Sequence, residues 1–417
     1  MRLLAKILLA GTTAATGLCG AAYAGDTTEV INVQLDNDPF TAGLNVVSVD
    51  VLSVLGAATA LGNTLSVQVD TGNLTLNNTQ TLNGAGSAQS VIRVNSASEE
   101  LDSIATTFGN SATITTCCGT IDAVSQQTVG ADATQSATSD VTADNWAFNP
   151  TSTATAVANA ISYETWDGGR ITAWAGQTNN ASVVSDASLN AGLLADSATI
   201  TATSIGNSAT AGGESTTLDV DANQRNFGTS ISARAQVNSP DGEDVISTAA
   251  ATGNAYNVEN AYGFAKVVTD QNNSAQIEAR SDVTLDLWQG WNASTAYAVA
   301  NSNLVSNIGS DIDLANIQNN DGGVEATATF TGGTAGGGVG NDTIITDFVT
   351  SATAFGNAVS GFVCSTCGGG ITANNRQTNA GTIVASSSVN TGSGGALIAT
   401  ATAVGNSATF HTVEAGN

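Results

Sequence analysis

Short runs in which apolar and polar residues alternate recur along the whole chain, as in Leu74 to Leu76, Ser90 to Val94 and Ile231 to Val237, with Gly, Asn, Asp or Ser after each run. A period of two punctuated by turn residues predicts short β-strands. Helix is disfavoured, because Thr, Ser, Asn, Val and Gly are poor helix formers and no heptad-like stripe appears.

The runs are themselves repeated. Segments of Ala, Thr and Ser that end in Gly-Asn or Ala-Asn place Asn63, Asn110, Asn159, Asn207, Asn254, Asn301, Asn357 and Asn406 at intervals of 47, 49, 48, 47, 47, 56 and 49 residues. A Gln set among Asn and Thr, at Gln80, Gln127, Gln177, Gln224, Gln271, Gln318 and Gln377, follows the preceding Asn by 17, 17, 18, 17, 17, 17 and 20 residues. Two landmarks held in phase mark one structural unit repeated. They predict an all-β chain, a repetitive β-solenoid or β-helix of about seven 47-residue units. Stacked strands would set the repeated Asn and Gln one above another, where side-chain amides form ladders. If each unit makes two coils of about 23 residues, about fourteen rungs at ~4.8 Å give a rod of roughly 70 Å. One wide coil per unit fits the same spacing.

The units occupy residues 57–410, behind a lead-in or cap at 25–56 and ahead of a tail at 411–417. The variable turn that follows each Asn by seven residues carries Cys117-Cys118 in one unit and Cys364 to Cys367 in another. The longest interval carries a Gly-rich insertion, Thr329 to Asp342.

The start of the chain adds a destination. Arg2 and Lys6 precede the mostly apolar run Ile7 to Cys19, which closes on Ala22-Tyr23-Ala24. This is the pattern of a secretory signal peptide over residues 1–24, cleaved before Gly25. Leu18, ahead of Cys19, argues against lipidation, which wants a small residue there. No later stretch reaches the ~18 uninterrupted apolar residues of a membrane helix. Aromatic residues, 5% of the chain, are too sparse for the two girdles of a membrane barrel. The expected location is the cell surface or outer membrane, on the extracellular side.

Charge narrows the partners. Losing Arg2 and Lys6 with the leader leaves 7 basic residues against 35 acidic ones, a formal charge of −28. Repulsion disfavours nucleic acid and anionic lipid.

In an oxidising compartment each cysteine pair would close locally, Cys117 to Cys118 and Cys364 to Cys367, stapling its turn. Cys117 and Cys364 are 247 residues apart. With two coils per unit that is about 48 Å along the axis, beyond a disulfide's reach of ~7 Å. The rival, one zinc centre with four thiolates, has the same spacing against it.

Little else supports catalysis, and no cofactor is expected. His411, the one histidine, reads as an exposed tail residue, and Lys266 is the one lysine beyond the leader, so acyl-transfer triads and multi-histidine metal centres are excluded. Asp219 with Asp221 and Asp311 with Asp313 read as i, i+2 pairs on strands, each a solvated face rather than a glycosidase pair. Gly337 to Ile345 loosely fits a calcium-binding nonapeptide with Asp342 as ligand, but a single copy lacks the second half-site and reads as a loop. Trp166, Trp174, Trp288 and Trp291 are candidate contacts for a glycan or partner, since exposed indoles stack on sugar rings, with packing on the solenoid flank as the alternative.

The signal peptide, the acidic Ala/Thr/Asn-rich chain and the recurring A-x-A-x-G-N units together resemble the holdfast attachment protein D family of stalked alphaproteobacteria. The resemblance implies an outer-surface adhesin or anchor, not an enzyme. It also implies attachment of an adhesive polysaccharide holdfast to the outer membrane, alongside curli-subunit-like and curli-pore-like anchor proteins. Homo-oligomers fit the same repeats. The competing readings are a β-helical polysaccharide lyase or hydrolase and a curli-like amyloid fibre subunit.

Overall fold

The structure, a computed structural model, describes residues 27–335, 346–364 and 369–413. The expected leader, Cys367 and the stretch from Gly337 to Ile345 with Asp342 lie outside the described residues.

Among the described residues all regular structure is β, and the strands pair in parallel. The first four strands are β1 (Thr27–Asp36), β2 (Phe40–Val47), β3 (Asp50–Val51) and β4 (Val54–Val69). β1 pairs with Asn73–Leu82, β2 and β3 with Gly86–Ala97, and β4 with Leu101–Thr116. The chain thus passes once through three ladders and returns beside its own start. Strands of the β1 type form an eight-stranded parallel sheet, here the Gln sheet. Those of the β2 and β4 types form the middle and Asn ladders, which the 33-residue strand Gln276–Ile308 runs through and joins into one 16-stranded sheet.

The pairing corrects the two-coil division. Asn63 pairs with Asn110 and Leu74 with Ile121, so neighbouring rungs differ by 47 residues and each unit is one wide coil. The eight strands of the Gln sheet span about 34 Å at ~4.8 Å per step, half the rod expected from two coils. Residues 27–51, read as a lead-in, are strands in the register of the coil that follows. At the other end His411 belongs to the strand Leu397–Val413, and its ring stacks on Phe362 at 6.0 Å. The insertion begins as strand: Thr329 to Ala335 lie in Val324–Ala335, paired with Gln276–Ile308.

The Gly-Asn and Ala-Asn landmarks are corners. In Pro150–Thr165 the inward residues are Ala154, Ala156 and Ala158 before the corner, and Asn159, Ile161 and Tyr163 after it. Two consecutive inward residues switch the phase of the strand. Its first half therefore faces the middle sheet, in an Ala- and Val-rich core, and its second half faces the Gln sheet, in a core with Ile171 and Leu218. The residue before the Asn needs to be small, since a Cβ on Gly109 would lie 2.6 Å from the Ala158 carbonyl oxygen. Alternation of period two, broken once at a fixed place, folds a strand of 16 residues around a bend.

Candidate functional site

The corner asparagines are buried and hydrogen-bonded along the stack. Asn207 donates one amide proton to Asn254 Oδ1 (2.8 Å) and the other to the Arg225 carbonyl (2.8 Å), and accepts from Asn159 Nδ2 (2.8 Å). The same pattern carries Asn110, Asn159, Asn254, Asn301 and Asn357; the series begins at Asn63, which donates to Asn110, and ends at Asn406, which accepts from Asn357. Gln80, Gln127, Gln177, Gln224, Gln271, Gln318 and Gln377 form a second series that donates in the opposite direction, each Nε2 to the Oε1 of the preceding member. Gln34 is its first member and Gln80 donates to it. Every interior amide thus meets both its donor and its acceptor demand, which burial requires.

A third series, Asn179, Asn226, Asn273, Asn320 and Asn379, escaped the sequence reading. Its signal was a Gln-x-Asn spacing present from Gln177 onward, whereas Gln80 and Gln127 are followed by Leu82 and Val129. Buried serines also chain across the two walls of the first core, as Ser103 to Ser90 and Ser152 to Ser139, each at 2.9 Å.

The cysteines lie where an Asn-sheet strand turns toward the Gln sheet. Cys117 and Cys118 follow Leu101–Thr116, and Cys364 ends Thr346–Cys364. The Cys117 and Cys118 sulfurs are 2.8 Å apart as thiols, beyond the ~2.05 Å of a closed disulfide. The Cys117 thiol that accepts its proton, together with burial and nearby negative charge, pushes the Cys118 thiol up to about 11. Asp167 brings a carboxylate to the pair, and the three ligand atoms lie within 4.8 Å of one another. Five steps in the Asn sheet separate Cys117 from Cys364, about 24 Å at ~4.8 Å per step, too far for a shared zinc centre or disulfide.

The four tryptophans part company. Trp288 is fully buried, set edge-on to Phe330 (5.3 Å) and Phe348 (6.3 Å), which stack on each other. It offers no face to a glycan, which corrects that candidate. Trp174 is half-buried on the outer face of the Gln sheet, its ring where a Cβ on Gly176 would stand. Trp291 is 47% exposed and Trp166 44%.

Trp166 stands at a groove. Its backbone N–H donates to the Cys117 carbonyl (3.1 Å), and Asp167 and Gly168 beyond it turn the chain with positive φ. The groove, of about 490 Å³, is lined by Trp166, Glu164, Gly212, Glu214, Glu259 and Ser306 among others. Pairing sets Gly212 between Glu164 and Glu259, so a hollow without a side chain separates two carboxylates on the strands to either side. An aromatic face beside carboxylates suits a ligand that stacks and donates hydroxyl or ammonium protons.

The catalytic readings find less. Asp219 and Asp221 share the outer face of Thr217–Asn226, and Asp219 pairs with Lys266 (2.9 Å). Asp311 precedes Ile312–Asn320 and accepts from the Gly370 amide (2.7 Å), so it is a turn residue and not part of an i, i+2 strand pair.

Burial, and then the Asp270 carboxylate beside it, hold Asp221 above its ordinary range, and burial does the same to Asp186 against the opposing pull of Arg234. A carboxyl whose folded pKa exceeds its unfolded value loses stability on ionising and regains it as pH falls through the folded pKa toward ~3.9. These two carboxyls are therefore expected to raise the melting temperature as the pH falls from 7.5 toward about 4. Asp221→Asn should raise stability at pH 7.5 and flatten the profile. A thermal melt series reads both, and a profile as steep in the variant as in the parent would show that Asp221 is not a source.

Among the described residues no helix is long and apolar enough to cross a membrane. Neither a curated protein nor a solved structure matches the chain. One family model does, that of holdfast attachment protein D, over residues 50–323, a stretch that includes the Trp166 groove and the corner asparagines from Asn63 to Asn301. That match covers more than half of the sequence, and the chain belongs to the holdfast attachment protein D family.

Proposed function

We propose that this attachment protein is a rigid, non-enzymatic anchor on the outer surface of the cell. It holds an adhesive polysaccharide through the Trp166 groove, alongside other anchor proteins of the outer membrane. The exposed Trp166 indole flanked by Glu164, Glu214 and Glu259 carries the reading. Its support is wide parallel sheets in which the corner asparagines and the glutamine series are hydrogen-bonded from coil to coil.

The carboxylates select the ligand. An anionic chain would be repelled, so the expected glycan is hydroxyl-rich and neutral or cationic. Local disulfides at the cysteine turns would brace the same corner.

The test is binding of purified polysaccharide to Trp166→Ala against the parent. A stacked sugar contributes on the order of 1–2 kcal/mol, so affinity should fall roughly five- to thirtyfold with an unchanged circular dichroism spectrum. Equal affinity would remove the groove from the proposal. A strain deleted for the protein should shed adhesive material, and retention without it would sink the anchor. New chain ends in glycan incubated with the protein would favour a lyase or hydrolase.

A further inference from the structure

We propose that Cys117, Cys118 and Asp167 form a binding site for a thiophilic divalent cation of the zinc class, which fastens one coil to the next at the turn beside the Trp166 groove. The site rests on the reduced cysteine pair and is independent of the glycan reading.

The three ligands come from two successive coils. Cys117 and Cys118 follow Leu101–Thr116, Asp167 follows Pro150–Thr165 by one residue, and Thr116 pairs with Thr165, so one turn stacks on the other. Backbone hydrogen bonds fix the cysteine turn on both sides. The Cys117 N–H donates to the Val69 carbonyl (3.3 Å), the Cys117 carbonyl accepts from the Trp166 N–H (3.1 Å), and the Gly119 carbonyl accepts from the Arg170 N–H (3.2 Å). Asp167 lies between those last two donors with φ +60°, a conformation in which Asp is enriched.

The side chains converge outside that frame. Both sulfurs and a carboxylate oxygen of Asp167 lie within 4.8 Å of one another. Bond lengths of ~2.3 Å to sulfur and ~2.0 Å to oxygen set the ligands of a tetrahedral zinc about 3.5–3.8 Å apart. The sulfurs, now 2.8 Å apart, need to open by about 1 Å, and Cys118 is exposed and free to turn. Among the described residues no Lys or Arg forms an ion pair with Asp167, so its charge stands beside the two thiols without a cation.

The donor set chooses the ion. Thiolate sulfur selects zinc and its soft neighbours, whereas calcium and magnesium want oxygen throughout. Three protein ligands leave the fourth tetrahedral position to water, which reaches the ion because Cys118 and Asp167 are exposed. Each thiol gives up its proton on binding. The metal site and a Cys117–Cys118 disulfide are therefore alternative states of one turn, since only a thiolate is a ligand.

The experiment is a cobalt titration of the reduced chain begun at Gly25, carrying Cys364→Ser so that the other cysteine turn takes no part. Cobalt bound by sulfur shows thiolate charge-transfer absorption, and zinc, favoured by thiolates, should displace it. One equivalent should bind with that absorption, and zinc at a hundredfold its dissociation constant should raise the melting temperature by about 3 °C. Cys118→Ser should lose both the absorption and the shift. Asp167→Asn should keep the absorption and bind roughly tenfold or more weakly, with the circular dichroism spectrum of both variants unchanged. Diamide, which takes up the two electrons and two protons that the thiols give up on closing to a disulfide, should abolish uptake. A chain that takes up no cobalt, or takes it up without sulfur absorption, overturns the proposal. So does an Asp167→Asn variant that binds like the parent, or a diamide-treated chain that keeps the absorption.

Discussion

Asn207→Ala is expected to destabilise the protein by about 4 kcal/mol, since three buried polar partners lose their mate at ~1–3 kcal/mol each before the surroundings relax. Those partners are Asn159 Nδ2, Asn254 Oδ1 and the Arg225 carbonyl, all bonded at 2.8 Å to a residue with no exposed surface. The damage should also reach neighbouring coils, because the orphaned amides belong to the strands on either side. Asn406→Ala serves as the internal comparison: it removes a single bond, the one accepted from Asn357, at an end where water substitutes, and should cost about 1 kcal/mol or less. Guanidinium unfolding with hydrogen exchange measures both. If the Asn207 and Asn406 variants lose equal stability, the buried ladder does not hold the coils together.

Trp288→Ala should cost about 3–5 kcal/mol, the range for deleting a fully buried large aromatic. The indole fills the bend where Gln276–Ile308 leaves the middle ladder for the Asn ladder, and it holds Phe330 and Phe348 edge-on. Truncation leaves their stack, at 3.6 Å, facing a cavity. Trp288→Phe keeps much of the volume and should cost less than half as much. Glycan binding by whatever Trp288→Phe protein folds should match the parent. A Trp288→Phe variant that is stable yet deaf to glycan would mean that this indole acts at the surface after all.

The exposed counterpart lies three residues on. Trp291 reaches solvent because Gly290, at φ +75°, turns the chain between them. Nothing in the local composition around 286–292 distinguishes the two indoles. Their fates depend on the inward phase of a strand at a bend, which is set by what the strand packs against. Trp166 was legible as a turn residue for the opposite reason, since Asp167 and Gly168 follow it directly and mark a reversal. Its groove was not legible, because Glu164, Gly212 and Glu259 are neighbours only through pairing between coils.

By itself, the sequence determined that this chain is built from strands, that a unit recurs about every 47 residues, and that Asn and Gln recur within it at matched positions. Those are statements about order along the chain, and period-two alternation and spacing carry them. Only the tertiary structure decided that one unit is one coil. A repeat of 47 residues fits one wide turn or two narrow ones equally, and the choice falls to how much core three ladders can bury around a bend. The same packing decided the polarity of the amide ladders, the separation of Cys117 from Cys364 and the burial of Trp288. Each depends on which strand stands above which, and residues 47 apart become neighbours only when the coil closes.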